Sequence, residues 1–439
     1  VATLFGFNPD VESLHSALNV IFINHTRWIA HMRTMRFGRY DYASFMSFFA
    51  YAAGSVVLPV ALVSLADDLG FSLDKGGMAA GGALHFGRTL AMIPSILLCG
   101  FAAGRWGKRK TMGGSIVLMS LGVMLCALAP GYGVLFLALM VAGLGEGVNE
   151  GLATPFVQEL HPNEPGRYIN FAHSFWSIGI MVTVLVSGGL ISLGVNWRVP
   201  VAGAASVGFI AAALYLFPQS RGREYPEHPE PIHWKVIWGR TLKIVNTPRF
   251  WLFFAAMFVA GGGEFCLTYW CASFIQLNFM GAAWAGGVGT ACFAGGMFLG
   301  RSGWGYLIKQ HQLKQLIVCS ALAGTVITLL IPLLTILWVL FGMLFLAGIA
   351  TAPFWPSVQS YCADRMPEND TTMLFILLSC AGIPGCGVLT WLMGYIGDQT
   401  GDLRLAFYLI PACYVTLAAI IGFEWLISAR NKGALTDTN

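Results

Sequence analysis

The sequence predicts an all-α integral membrane protein whose twelve transmembrane helices form two pseudo-symmetric halves of six. Composition is the first reason: 56% of the 439 residues are hydrophobic and 10% are charged, whereas a soluble domain carries roughly a quarter charged residues. The second is a series of apolar stretches near 42–66, 78–104, 111–130, 134–157, 169–194, 199–218, 250–276, 283–308, 315–333, 336–360, 372–397 and 404–428. Each is close to the roughly 20 residues needed to cross a bilayer core. The third is an internal repeat with an offset of about 205 residues. Parallel repeats of this kind place a transporter's substrate site at their interface.

The spans near 42–66, 78–104 and 169–194 contain polar or glycine-rich interruptions. They are assigned from their spacing and from the need to satisfy every backbone group inside lipid. Phe45, Phe48, Phe49 and Ala50 at the start of the first span recur as Phe250, Phe253, Phe254 and Ala255 at the start of the seventh. Pro155, Val157 and Gln158 recur as Pro356, Val358 and Gln359 at the ends of the fourth and tenth. Asn196-Trp197-Arg198 is echoed by Asp402-Leu403-Arg404 before the sixth and twelfth. The division is therefore a six-helix bundle at 41–218, a Pro- and charge-rich linker at 219–249, a second bundle at 250–429 and a tail at 430–439. Residues 1–40 read as a further tail, in which the stretch before Met35 is an over-extended gene start or disordered, with an interfacial helix as the alternative. The sequence opens on Val1, and Met32 or Met35 are candidate native starts.

Orientation follows from the basic residues, which concentrate in cytoplasmic loops. Arg27, Arg33, Arg36 and Arg39 precede the first span, Arg105, Lys108, Arg109 and Lys110 follow the second, and Arg167 follows the fourth. Arg221, Arg223, Lys235, Arg240, Lys243 and Arg249 fill the linker, and Lys309, Lys314, Arg365, Arg430 and Lys432 complete the same side. Only Lys75, Arg198 and Arg404 fall opposite. A multi-pass protein of the cell (inner) membrane, with both termini and the linker cytoplasmic, is expected. The net charge of +4 reports this loop bias, and no nucleic-acid partner is expected. The ten cysteines have no metal-ligand spacing and read as small packing residues. Neither a cofactor nor an enzymatic activity is expected: the sequence has no His-Glu-x-x-His, no Gly-x-Ser-x-Gly and no Gly-rich Lys loop. The protein is read as a monomer in lipid.

Two glutamates, Glu146 and Glu150, lie one turn apart inside the fourth span. A charged residue at that depth costs about 2 to 3 kcal/mol on insertion scales and marks an ion or substrate path. Sharing a face at i,i+4, the pair is expected to hold one proton between them. Arg88, beside His85 in the second span, is the structural alternative, an ion-pair partner for one of them. Glu264 has no basic neighbour in sequence and joins Glu150 and Glu146 as a proton-coupling candidate. A sugar-like substrate needs planar donors and acceptors with aromatic faces. Asn149, Glu150, Asn170, His173, Trp176, Glu264, Tyr269, Trp270, Gln276, Trp355 and Gln359 supply both near the repeat interface. Of the 53 glycines, Gly76-Gly77, Gly81-Gly82, Gly261-Gly262-Gly263 and Gly286-Gly287 suit close helix packing or hinges.

The stretch Gly100-Phe-Ala-Ala-Gly104-Arg105-Trp106-Gly107-Lys108-Arg109-Lys110 resembles the Gly-x-Leu-Ala-Asp-Arg-x-Gly-Arg-Arg-Lys pattern of the major facilitator superfamily. Gly100, Arg105, Gly107, Lys108 and Arg109 are gating candidates through that resemblance; Arg301 is one by its place nearer the cytoplasmic end of its span, where snorkelling or pairing with a helix end is the alternative. Gly104 replaces the family's Asp and its charge pairing. Within the superfamily, Glu150-Gly-Leu-Ala-Thr154-Pro155-Phe156-Val157 is similar to the Glu-Thr-Ala-Ala-Asn-Pro-Phe-Val of the fucose/glucose/galactose:proton symporter family. Ile169-Asn170-Phe171-Ala172-His173, Gly263-Glu264 with Trp270, and Gly300-Arg301 match further patterns of that family. The resemblance implies a secondary active transporter of a monosaccharide or small glycoside, proton-coupled and working by alternating access. The family's acid in the first span is missing between Gly54 and Val63. Sodium-coupled or uncoupled sugar transport therefore stays open, as do proton-antiport export of an amphipathic compound and a non-transporting membrane sensor.

Overall fold

The computed structural model describes residues 36–162, 165–217, 234–279 and 281–436. The readings made for the stretch before Met35, including Arg27 and Arg33, and for Arg221 and Arg223 lie outside the described residues. The fold within them is wholly helical. The first half comprises α1 (Arg39–Asp68), α2 (Met78–Trp106), α3 (Lys108–Ala127), α4 (Tyr132–Leu160), α5 (Pro165–Ser192) and α6 (Arg198–Leu216). A short helix α7 (Trp234–Val245) precedes α8 (Pro248–Asn278), α9 (Ala283–Leu307), α10 (Leu313–Leu330) and the broken tenth span, α11 (Leu337–Thr351) and α12 (Phe354–Arg365). The last elements are α13 (Thr371–Thr400), the one-turn α14 (Leu403–Ala406) and α15 (Leu409–Thr436).

Eleven spans among the described residues are long and apolar enough to cross a membrane. The eighth, α9, has the length, but its glycines dilute its apolar content. Helix ends follow the chemistry. Apolar α1 stops at Asp67-Asp68, and α2 turns into α3 through Gly107, whose φ of +81° suits a residue without a Cβ. The tenth span breaks at Ala352-Pro353, where proline cannot donate the next helical hydrogen bond.

Up-and-down topology puts Lys75, Arg198 and Arg404 at one end of the bundle, the far end, and the loops carrying Lys108, Arg109, Arg240 and Arg365 at the other, the basic end. The halves meet along two seams, α2 against α13 and α5 against α9. Both seams are tight near the far end because glycines let backbones touch. A Cβ on Gly82 would lie 2.7 Å from the Cα of Trp391, and one on Gly188 would lie 2.7 Å from the carbonyl oxygen of Ala283. Polar groups join the halves there as well. Asp398 on α13 accepts from the backbone N–H groups of Met78 at 2.9 Å and Ala79 at 2.8 Å, so one half caps the first turn of a helix in the other. The hydroxyl of Tyr269 donates to the carbonyl of Gly81 at 2.5 Å, and the N–H of Trp284 donates to Ser192 Oγ at 2.8 Å.

α7 is fastened to the second half: Arg240 pairs with Asp370 at 2.9 Å and Lys243 donates to the carbonyl of Glu368 at 2.7 Å. At the basic end of that half, Glu424 of α15 is buried among Tyr361, Arg365, Arg249 and Ser428.

Candidate functional site

α4 carries Glu146 and Glu150 on one stripe, as their spacing predicts, but one turn of rise, roughly 5.4 Å, gives them different surroundings. Glu146 is fully buried inside the first half and accepts from both Nε and Nη2 of Arg88, the Nε contact being 2.6 Å. Nη2 of Arg88 also donates to Ser55 Oγ at 3.0 Å. The expectation of a glutamate pair sharing a proton is thereby corrected, because Glu146 has a permanent cation as its partner. His85, one turn before Arg88, is buried with both ring nitrogens unpartnered and lies flat on Phe265 of the second half, ring centroids 4.1 Å apart. Asn149 is fully buried, and neither of its amide atoms has a partner.

Glu150 is partly exposed, and Tyr51 of α1 faces it. Tyr51 and Ser55 stand one turn apart on α1, as Glu150 and Glu146 do on α4, so the two helices make two polar rungs. The lower rung faces a space between the halves. On its near wall, Thr154 of α4 bonds His173 of α5 at 2.9 Å; His173 is exposed and its ring lies 4.4 Å from that of Phe48. Trp176, one turn along α5, packs edge-on against Tyr51 at 4.5 Å. Asn170 lies on the same helix, and its side chain is outside what the structure describes.

The opposite wall belongs to the second half. Glu264 of α8 accepts from Nη2 of Arg301 on α9 at 3.0 Å. Glu264 is 14% and Arg301 28% exposed. The guanidinium acts across the space on both Glu150 and His173, and Cys386 of α13 lies near both carboxylates. Trp355 packs on Gly261 and Gly382 with part of its face open, and Gln359, one turn on, donates to Ser379 Oγ at 3.4 Å. Arg301 was expected at a gate. It stands instead at the centre of the molecule and supplies the basic partner that Glu264 lacks in sequence.

Of three other expected site residues, Tyr269 and Trp270 sit at the α2–α13 seam and Gln276, half-buried, at the contact of α8 with α1. Trp270 is fully buried and donates to the carbonyl of Thr390 at 3.0 Å, Tyr269 bonds Gly81, and Gln276 donates to the carbonyls of Ala272 and Val60. Their polar atoms serve backbone carbonyls, so they fasten helices and do not line the cavity. At the basic end, Lys108 pairs with Glu159, and Arg109 donates to the carbonyl of Tyr215 at 2.6 Å. Arg105 is exposed, Gly107 makes the turn, and Gly100 lies two turns earlier on α2. Tyr51 and Cys386 are the site residues that sequence reasoning passed over, while Thr154 entered it only through the family-like segment after Glu150. Tyr51 had a signal, its i,i+4 spacing from Ser55 in an apolar span.

The arrangement is thus a cavity between the halves, lined by two carboxylates, one guanidinium, a histidine and two indoles. It is closed at the far end by the glycine seams and approached from the basic end, where His173 is exposed and Thr154 half-buried.

The sequence model of the Major Facilitator Superfamily matches residues 43–369. Among solved structures, the E. coli fucose:proton symporter superposes with a TM-score of 0.60 at 16% identity, covering 87% of this protein and 98% of that one. A niacin transporter of Acinetobacter baylyi is 31% identical over 99 residues, 22% of this protein and 23% of the relative. A probable polyol transporter of Arabidopsis thaliana is 29% identical over 119 residues, 26% and 22% of the two proteins. A human sodium-dependent phosphate transport protein is 29% identical over 118 residues, 26% of each. The matched stretch spans about a quarter of each curated relative.

Proposed function

The protein belongs to the Major Facilitator Superfamily, and we propose that it is a secondary active transporter that moves a small polar, sugar-like solute together with a proton by alternating access. One observation carries the reading: Glu150 and Glu264, one from each half, face a cavity that is sealed at one end and approached from the other. Two carboxylates contributed by separate rigid bodies change their mutual distance and hydration when those bodies rock, and this is the condition for proton affinity to follow conformation. Trp176 and Trp355 supply aromatic faces for the C–H side of a sugar ring, while Thr154, His173 and Gln359 supply hydroxyl partners. With the basic end placed at the cytoplasm of the inner membrane, as its loops favour, the cavity faces inward. The transporting unit is the monomer, because the cavity is built within one polypeptide.

The test is the external pH of proteoliposomes carrying the purified protein on addition of hexoses, deoxyhexoses, sugar acids and small glycosides. Alkalinisation with one solute supports proton symport. Uptake without a pH change turns the reading to sodium-coupled or uncoupled transport. In the same assay, Glu264→Gln is expected to abolish solute-linked proton movement while sparing counterflow, and unchanged coupling would remove Glu264 from the mechanism.

A further inference from the structure

The substrate class can be narrowed by asking what Arg301 has left to offer. An arginine facing a carboxylate ordinarily makes two parallel N–H···O bonds. Arg301 makes one to Glu264, through Nη2, while its Nε and the Oε2 of Glu264 are buried without partners. Half of the pairing capacity on each side is therefore unused, at the centre of the molecule and beside the cavity. The guanidinium stays protonated under all working conditions, and among the described residues it is the one permanent cation there. The buried Arg88 of the first half, by contrast, commits both Nε and Nη2 to Glu146.

We propose that the solute is a polyhydroxylated monocarboxylate, a sugar acid of the aldonate or uronate type, and that its carboxylate replaces Glu264 on Arg301. This narrows the transport reading above and rests on it. In the empty site Arg301 is positive and Glu264 negative. An incoming carboxylate would put a second negative charge on one guanidinium, so it binds with one proton, which goes to the unpartnered Oε2 of Glu264. Arg301 then pairs with the solute's carboxylate, Glu264 is neutral, and the site's net charge is unchanged. One anion and one proton cross together, without net charge. A neutral sugar would leave the Arg301–Glu264 pair intact, and its symport with a proton would carry one positive charge. The hydroxyls fall to Thr154, His173 and Gln359, and the C–H surface of the ring or open-form carbon skeleton to Trp176 and Trp355.

Proteoliposomes decide between these outcomes, using D-glucuronate, D-gluconate and D-glucose as probes with the membrane potential set by valinomycin and potassium. The expected result is uptake of an acid with matching alkalinisation and a rate indifferent to an inside-negative potential. Arg301→Gln should lower acid uptake by about 10- to 100-fold, the size expected on losing a charged hydrogen-bond partner. Glu264→Gln, which mimics the protonated acid, should bind the sugar acid in calorimetry with an affinity flat between about pH 6 and 8, where the wild type weakens as pH rises. That binding measurement holds even where Arg301→Gln fails to fold. Uptake of glucose with rejection of both acids, or acid uptake driven by the potential, overturns the assignment and leaves the transport reading standing. Failure of every solute to move or to bind overturns the transport reading and the assignment with it.

Discussion

Each half of the bundle pairs an arginine with a glutamate between its helices, and the two pairs differ in how completely they are satisfied. In the first half, Arg88 grips Glu146 with two nitrogens, makes a third contact to Ser55, and the pair is 3% and 0% exposed. In the second half, Arg301 holds Glu264 through one nitrogen, each partner keeps a buried atom unpaired, and both reach the cavity. A fully satisfied buried pair is inert, because any change in either partner strands a charge in low dielectric. A half-satisfied pair at a cavity can exchange partners. The comparison teaches that, of the two halves, the first commits its pair to holding α1, α2 and α4 together, whereas the second leaves hydrogen-bonding capacity of its pair unused beside the cavity.

The comparison can be broken by mutation. Arg88→Ala should have the largest effect, about 3 to 5 kcal/mol of stability as Glu146 is left buried without its cation, read as loss of monodisperse protein and a fall in Tm. Arg301→Gln should move Tm far less, because its pair is partly hydrated. If the two variants lose equal stability, the distinction fails. Replacing the whole first pair, Arg88→Met with Glu146→Leu, should restore a folded protein that still transports, since a buried ion pair exchanged for apolar residues is often close to neutral. Loss of transport in a well-folded double variant would draw Arg88 and Glu146 into the cycle.

Asp398→Asn comes next. It weakens a charge-assisted cap across the seam by about 1.5 to 3 kcal/mol and should raise the population open at the far end. Spin labels on Asp74→Cys and Gln399→Cys, with exposed Cys319 changed to Ser, should show a longer distance component, and water should reach Glu264 from the far side while Arg88 and Glu146 stay protected from solvent. Ser55→Ala should cost the least, about 1 kcal/mol, with transport unchanged.

Much of this was legible in the sequence, because lipid makes composition and span length unusually informative. The acids in the spans, the basic loops and the repeat follow from one-dimensional patterns. What spacing could not tell was the register between helices. Glu146 and Glu150 are adjacent rungs on one face of a helix, yet one meets Arg88 and the other the cavity, and only their depth along α4 relative to its neighbours decides which. Arg301 is 37 residues from Glu264, on the next helix, and its place near a loop in sequence pointed to a gate. Tyr269, Trp270 and Gln276 have the chemistry of a sugar site, but they direct it to backbone carbonyls. Glycine pairs were readable as packing or hinge elements, and the structure puts Gly82 at a backbone contact in the α2–α13 seam.

The cap across the far end has one more consequence. Asp398 binds the backbone of Met78 and Ala79, not their side groups, so the fastener is encoded on one side only. Exchanging Ala79 for most other residues leaves both N–H groups in place, whereas almost any exchange at Asp398 removes the acceptor; Met78 is constrained separately, by its side chain buried in the core. In a saturation survey scored by growth on the transported solute, the fastener should read as an intolerant column at Asp398 on α13 facing a permissive one at Ala79 on α2. Drift at Ala79 can proceed without loosening this cap, and the codon for Asp398 alone carries its acceptor.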